Sequence, residues 1–266
     1  MITTADDLKD LLPIFPSVEF AFSYGSGAVQ QGGYQYKKSA SELPMLDIIM
    51  VVEDSEEWHR ENMLRNPSHY SPLVPMNYFQ VAWVQEKVPA NFWFNAYVPI
   101  PTGPQAGRLL KYGVISKKHA LKDLLHWNNL YLAGRLHKPV HILKSSADFD
   151  SALQTNREHV MRTALLLLPD KFTEIDLYIA VASLSYVGDP RMILGENPRK
   201  VVNLVAPIVP TYRHLYTPTL EYIGQHAQVT KMNAFSGAYT QNVAQSVRWQ
   251  MCLDLPSSLR SLLSLR

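Results

Sequence analysis

The chain has 266 residues, 47% of them hydrophobic and 18% charged, with a formal net charge of +2. That length buries one large core or two modest ones, while so small a charge excess argues against a general nucleic-acid binder, which needs a concentrated basic stripe. The single cysteine, Cys252, excludes an intramolecular disulfide and fits a reducing compartment, and no run approaches the ~20 apolar residues that cross a bilayer.

In chain order, residues 6–12 predict a short opening helix, stopped by Pro13 and Pro16. Residues 4–10 are acidic and lack the arginine-rich character of a transit peptide, so no targeting signal is visible. Residues 18–24 read as the first strand, running into Tyr24-Gly25-Ser26-Gly27. The polar stretch 30–42 looks like a mobile loop, and Leu46–Val52 follows as a buried strand bearing one acid, Asp47. Strand, glycine turn and acid-bearing strand are the minimal apparatus of a nucleotidyltransferase. Gly25 and Gly27 can take positive φ and bring backbone N–H groups to a triphosphate, Ser26 can donate a hydroxyl, and Asp47 can hold magnesium. The same residues also suit an ordinary turn and a satisfied structural acid.

Residues 55–66 predict a helix capped by Ser55, with acids in its first turn. The aromatic and apolar runs 78–86, 91–100 and 108–116 supply the remaining strands of a compact mixed sheet. Past Ser116 the period becomes helical, over 118–125, 127–132, 148–168, 174–185 and 198–226; residues 225–251 are polar and small and read as a loop or a disordered stretch. The expectation is an α+β protein with a mixed-sheet domain at 1–116, a helical domain at 117–225 and a C-terminal segment at 226–266.

Several ordered blocks narrow this further. They are Leu46-Asp47, Trp58-His59, Asn62, His69-Tyr70-Ser71, Gly107-Arg108-Leu109-Leu110-Lys111-Tyr112-Gly113, Asp123-Leu124-Leu125, Trp127-Asn128-Asn129-Leu130-Tyr131, Lys138-Pro139-Val140, and Ser185-Tyr186-Val187-Gly188-Asp189-Pro190-Arg191. In this order, from about residue 20 to about residue 216, they resemble the mitochondrial translocator assembly and maintenance family, the peripheral CDP-diacylglycerol synthases. The resemblance implies a nucleotidyltransferase fold followed by a winged-helix-like domain. It also implies magnesium-dependent transfer of a cytidylyl group from CTP to phosphatidic acid, feeding cardiolipin synthesis at the matrix side of the mitochondrial inner membrane, through peripheral contact with anionic lipid. The family continues past Leu255-Pro256 into a membrane-binding segment, so a C-terminal truncation is expected.

On that scheme Ser26 and Lys111 join Asp47 as catalytic residues, with Asp47 the metal ligand. Tyr24, Gly25, Ser26, Gly27, Lys111, Asn128 and Arg135 bind CTP, while Arg191 and Lys200 contact the phosphatidate headgroup. Strand alternation points Lys111 away from the core, and Tyr131 and Arg135 fall at i and i+4 of one helix. Nucleotidyltransferases usually carry two acids one residue apart on this strand, but Met45 and Ile49 are apolar; Glu86, on a neighbouring predicted strand, and Asp54 are the candidates for the second. His59 and His69 lack a third ligand at zinc-like spacing. Residues 70–79 or 92–97 are candidates to line an acyl-chain groove. Two other readings stay open: a nucleotidyltransferase with a non-lipid acceptor, and a non-catalytic import assembly factor.

Overall fold

The computed structural model describes residues 5–27, 43–73, 75–186, 199–232 and 237–264. The expected loop at 30–42, along with Arg191, lies outside the described residues. The chain forms two compact units, Met1–Lys122 with Val140–Asp150, and Asp123–Pro139 with Ser151–Arg266.

The first unit is built on β1 (Phe20–Tyr24), β2 (Leu46–Val52), β3 (Trp93–Pro99), β4 (Leu109–Ser116) and β5 (His141–Lys144), in the order β3-β4-β2-β1-β5. β2 and β4 run parallel and the other neighbours antiparallel. Every β2 residue except Asp47 is buried, the near-continuous apolar run expected of a strand covered on both faces. Period-two alternation sends Leu46, Ile48 and Met50, with Leu110, Tyr112 and Val114, to a core completed by Leu8, Phe15 and Trp58. Leu8 lies on α1 (Ala5–Lys9) and Trp58 on α2 (Ser55–Arg65). Elsewhere Phe20 stacks on Phe149, with ring centroids 4.8 Å apart.

Two expectations are corrected here. Residues 78–86 are not a strand but the helix α3 (Tyr78–Lys87), so Glu86 sits in a last helical turn. Its start is fixed by a capping box: Asn77 Oδ1 accepts from Gln80 N at 2.9 Å, and Gln80 Oε1 accepts from Asn77 N at 3.0 Å. Val81, Ala82 and Gln85 are buried while Phe79 and Trp83 are exposed, a helical period that places the strand-favouring aromatics in solvent. The α2 cap is Asp54, not Ser55; its carboxylate accepts from Glu57 N at 2.8 Å.

The second unit holds most of the remaining helices. α4 (Lys117–His126) and α6 (Ala147–Leu167) each begin in the first unit and end in the second. With them come α5 (Tyr131–Arg135), α7 (Glu174–Ser183), α8 (Lys200–Val205), α9 (Val209–Ala227), α10 (Gln245–Leu253) and α11 (Ser257–Ser264). Strands β6 (Lys171–Thr173), β7 (Thr230–Lys231) and β8 (Ala238–Thr240) form a small antiparallel sheet in the order β6-β8-β7. The stretch read as a loop, 225–251, therefore contains two strands and a helix. The helix expected at 127–132 starts later, because Trp127 and Leu130 take left-handed φ values of 53° and 58°. Buried Asp123 holds that bend, accepting from the N–H groups of Asn129, Leu130, Leu132 and Ala133 at 2.8–3.0 Å. The protein is α+β.

Candidate active site

β1 ends at Tyr24, whose register partner on β2 is Asp47, whose partner on β4 is Lys111. Three strands thus bring Tyr24, Asp47 and Lys111 into one row at the sheet end where the glycine turn begins. Buried Ser23 fixes this register from the side chain, donating to the Asp47 carbonyl at 2.9 Å. Gly25 takes φ +75°, and a Cβ there would stand 3.4 Å from Asp47 Oδ2. At Gly27 a Cβ would lie 2.3 Å from the Met45 carbonyl oxygen, so only glycine lets the turn close on the entry to β2. Ser26 lies between them, half-buried.

The Lys111 ammonium stands 3.6 Å from Asp47 Oδ1, and both side chains keep partial access to solvent, 34% and 24%. Lys111 also lies 5.1 Å from the centroid of the Phe94 ring, which occupies the space left by Gly113. A carboxylate, an ammonium and a tight glycine turn form a compact polar site that can meet a polyphosphate.

Arg108 is the residue that sequence reasoning missed. Buried at 3% exposure, its Nη2 donates to the carbonyls of Gly27 at 3.2 Å and Pro44 at 2.7 Å, and its Nη1 donates to Gln105 Oε1 at 2.7 Å. It clamps the glycine turn to the segment entering β2; the Gly107-Arg108 block marks the residue in the sequence but not its partners.

The candidate second acids lie elsewhere. Asp54 follows the far end of β2, roughly 20 Å from Asp47 at ~3.3 Å per residue. Glu86 accepts from Ser55 Oγ at 2.9 Å, next to Asp54, and pairs with His119 Nε2 at 2.8 Å. Among the described residues no three His, Cys, Asp or Glu side chains gather as a metal site.

The two histidines belong to a closed hydrogen-bond network. His59 is fully buried; its Nε2 donates to Gln85 Oε1 at 2.9 Å, and Tyr70 Oη donates to its Nδ1 at 2.8 Å. Burial pulls the His59 pKa down to about 4, partly opposed by the Gln85 hydrogen bond. Tyr112 Oη accepts from Asn62 at 3.0 Å and Asn95 at 2.7 Å and lies 3.1 Å from His69 Nδ1. Burial raises Tyr112 to about 12 and lowers His69.

In the second unit, Asn128 and Asn129 are exposed, and Asn129 Oδ1 accepts from Tyr131 N at 3.0 Å. Trp127 is core, donating to Asn156 Oδ1 at 2.8 Å. Arg135 pairs with Tyr131 as their spacing suggests: its guanidinium sits 3.7 Å from the ring centroid and donates to the Tyr131 carbonyl at 2.8 Å. Lys200 opens α8, with its ammonium 5.4 Å from the Tyr186 ring.

Comparison with known proteins identifies the family of the chain. A family model described as phosphatidate cytidylyltransferase, mitochondrial, matches residues 8–266. Proteins of that same name are 40% identical in Xenopus laevis, over 91% of this chain and 72% of the frog protein, and 38% identical in Drosophila melanogaster, over 92% and 75%. The Schizosaccharomyces pombe protein is 37% identical, over 94% of this chain and 64% of its own. The chain belongs to the mitochondrial phosphatidate cytidylyltransferase family, whose members are nucleotidyltransferases.

Proposed function

We propose that the chain transfers a cytidylyl group from CTP to phosphatidate, giving CDP-diacylglycerol and pyrophosphate for cardiolipin synthesis at the matrix face of the mitochondrial inner membrane. The observation that carries the reading is the Tyr24–Asp47–Lys111 row set against the glycine turn. An oxygen of the phosphatidate phosphate attacks the α-phosphorus of CTP, and the bond from that phosphorus to the β-bridging oxygen breaks. The attacking monoester has its second pKa near ~6 and already carries a free oxyanion at neutral pH, so no general base is required.

The protein's work is then to hold two anions together and balance the charge that grows on pyrophosphate. Backbone N–H groups of the 25–27 turn and the Ser26 hydroxyl face the phosphates on this reading, and Lys111 supplies the cation. Asp47 offers the hard oxygen donor that would hold magnesium together with oxygens of the triphosphate and water, and the bound ion would neutralise phosphate charge. The resemblance assigns Asn128 and Arg135 to CTP, and Arg191 and Lys200 to the lipid phosphate.

Among the described residues, no helix is long and apolar enough to cross a membrane. A groove of about 1000 Å3 lined by Leu166, Leu167, Trp249, Leu259, Leu262 and Leu263 supports contact with a lipid surface in the second unit.

The test is incubation with radiolabelled CTP, phosphatidate in mixed micelles and magnesium, reading lipid-extractable label. Wild type is expected to label lipid, Asp47→Ala to lose roughly 10³-fold or more and Lys111→Met roughly 10²-fold. Unlabelled lipid from wild-type protein that still binds CTP would refute the reading, as would full labelling by Asp47→Ala.

A further inference from the structure

The row of Tyr24, Asp47 and Lys111 continues onto the edge strand of the sheet. Asn95 pairs with Tyr112 and Val98 with Leu110, and the register shifts between them, so Ala96 and Tyr97 together stand against the single residue Lys111. Asn95 and Val98 are buried with the Tyr112 side of the sheet, whereas Ala96 and Tyr97 are exposed. Tyr97 takes a left-handed φ of 60°, a conformation that strains a bulky L-residue. Its side chain is 73% exposed, so packing gives little in return. Strained backbone of this kind gathers at ligand sites.

Leu109 precedes Lys111 by two residues on β4 and so shares its face; it is 41% exposed, beside its exposed register partner Pro99. Lys111 therefore borders an uncharged rim of Tyr97, Pro99 and Leu109. A cation beside an apolar rim suits a ligand with an anionic head and an apolar body, and a tyrosine ring with its polar tip suits the boundary between the two.

The direction of transfer says which substrate that is. Displacement at phosphorus sets the attacking and leaving oxygens in line. With pyrophosphate leaving toward the 25–27 turn after β1, and the α-phosphate at Asp47 on β2, attack comes from the opposite side, across β4 and β3. Neighbouring strands lie ~4.8 Å apart, which puts the bulge roughly 10 Å from Asp47, room for a phosphate monoester at Lys111 and an acylglycerol on the rim.

We propose that the Ala96–Tyr97 bulge, with Pro99 and Leu109, is the acceptor subsite, where the Tyr97 ring covers the acylglycerol of phosphatidate while its phosphate meets Lys111. The order of groups along the row rests on the cytidylyltransferase reading. Of the aromatic stretch 92–97, Phe92 is buried and Tyr97 is the ring that serves the lipid.

The experiment measures equilibrium binding by calorimetry, separately for dihexanoyl phosphatidate, sn-glycerol 3-phosphate and CTP, with wild type, Tyr97→Ala, Tyr97→Asn and Leu109→Ser. Tyr97→Ala is expected to weaken dihexanoyl phosphatidate about fivefold or more and Leu109→Ser about threefold, with glycerol 3-phosphate and CTP within about twofold of wild type. Tyr97→Asn is expected to lose the same affinity yet keep the wild-type urea midpoint, because asparagine tolerates the left-handed region. A purely structural Tyr97 would move the midpoint and spare the lipid. Dihexanoyl phosphatidate bound equally by wild type and Tyr97→Ala, or not bound by wild type, would overturn the proposal, and so would a loss of CTP affinity as large as that of the lipid. Wild type that binds dihexanoyl phosphatidate yet makes no liponucleotide would sink the activity reading, while weakened lipid binding in Tyr97→Ala would still uphold the subsite.

Discussion

Lys111 and Tyr112 are neighbours on β4, and strand alternation sends them into two polar clusters of opposite character. Around Tyr112, Asn62, Asn95, His59, Tyr70 and Gln85 bond to one another in the interior. Around Lys111, Asp47 and the glycine turn keep access to solvent and present charge and backbone to it. The inner network spends its donors and acceptors largely on itself, with Gln85 Nε2 left over, and specifies packing. An open one stands where a ligand can reach it. Histidine, tyrosine and asparagine in a sequence block therefore say little about chemistry until it is known which kind of cluster they complete.

The strongest way to break the open cluster without touching a charge is Gly27→Ala. The added Cβ would need the space of the Met45 carbonyl oxygen, 2.3 Å away, and the turn must shift off the entry to β2. A displacement of that order beside Asp47 is expected to lower activity about 10²-fold or more. Gly103 is the control: φ is +85°, but nothing stands within 4 Å of a Cβ. Gly103→Ala is expected to cost about 1 kcal/mol of stability and leave kcat unchanged. Initial rates and urea denaturation of the two variants give the answer, and equal activities would show that the turn is not part of the site.

The closed cluster is probed by pH. His59 has its folded pKa lowered to about 4, chiefly by burial, whereas an unfolded imidazole protonates near ~6.5. The stabilising effect of keeping His59 neutral is complete above pH ~6.5 and is lost as pH falls from there toward 4, since the unfolded chain then binds the extra proton. The full difference corresponds to about 3 kcal/mol. Fully buried His137, in the second unit, is lowered to about 3, again chiefly by burial, and acts in the same direction. Urea denaturation at pH 7, 6 and 5 is expected to show falling stability with a shallower slope in His59→Gln; an unaltered slope would place the imidazole outside the closed network.

The parts of the site legible in the sequence are those set by local rules. β2 announces itself as an apolar run, alternation places Lys111, and paired glycines mark the turn. Arg108 was illegible in its role, because its carbonyl partners, Gly27 and Pro44, are 81 and 64 residues away in the chain. α3 was misread because Tyr78, Phe79 and Trp83 favour strands, while the decisive signal was the short Asn77/Gln80 cap. The bend at Trp127–Leu130 depends on one buried acid, Asp123, whose four backbone hydrogen bonds no periodicity reveals.

The smallest effect is expected where a lysine resembles Lys111 in sequence but not in surroundings. Lys117 follows β4 at the other end of the same sheet, next to Lys118. Its ammonium lies 3.4 Å from Glu53, 3.4 Å from Asp148 and 3.9 Å from Glu19. Hydrogen bonds to Asp148 and then Glu53 raise its pKa, so it stays charged at every physiological pH. With three acids about it, Lys117 has little positive field left for an anion, whereas among the described residues Lys111 shares its charge with one carboxylate, at 3.6 Å. Lys117→Met is accordingly expected to leave kcat and the KM for CTP within about twofold of wild type. A loss comparable to that of Lys111→Met would mean that both ends of the sheet serve the reaction, and the distinction between an open and a satisfied lysine would fail.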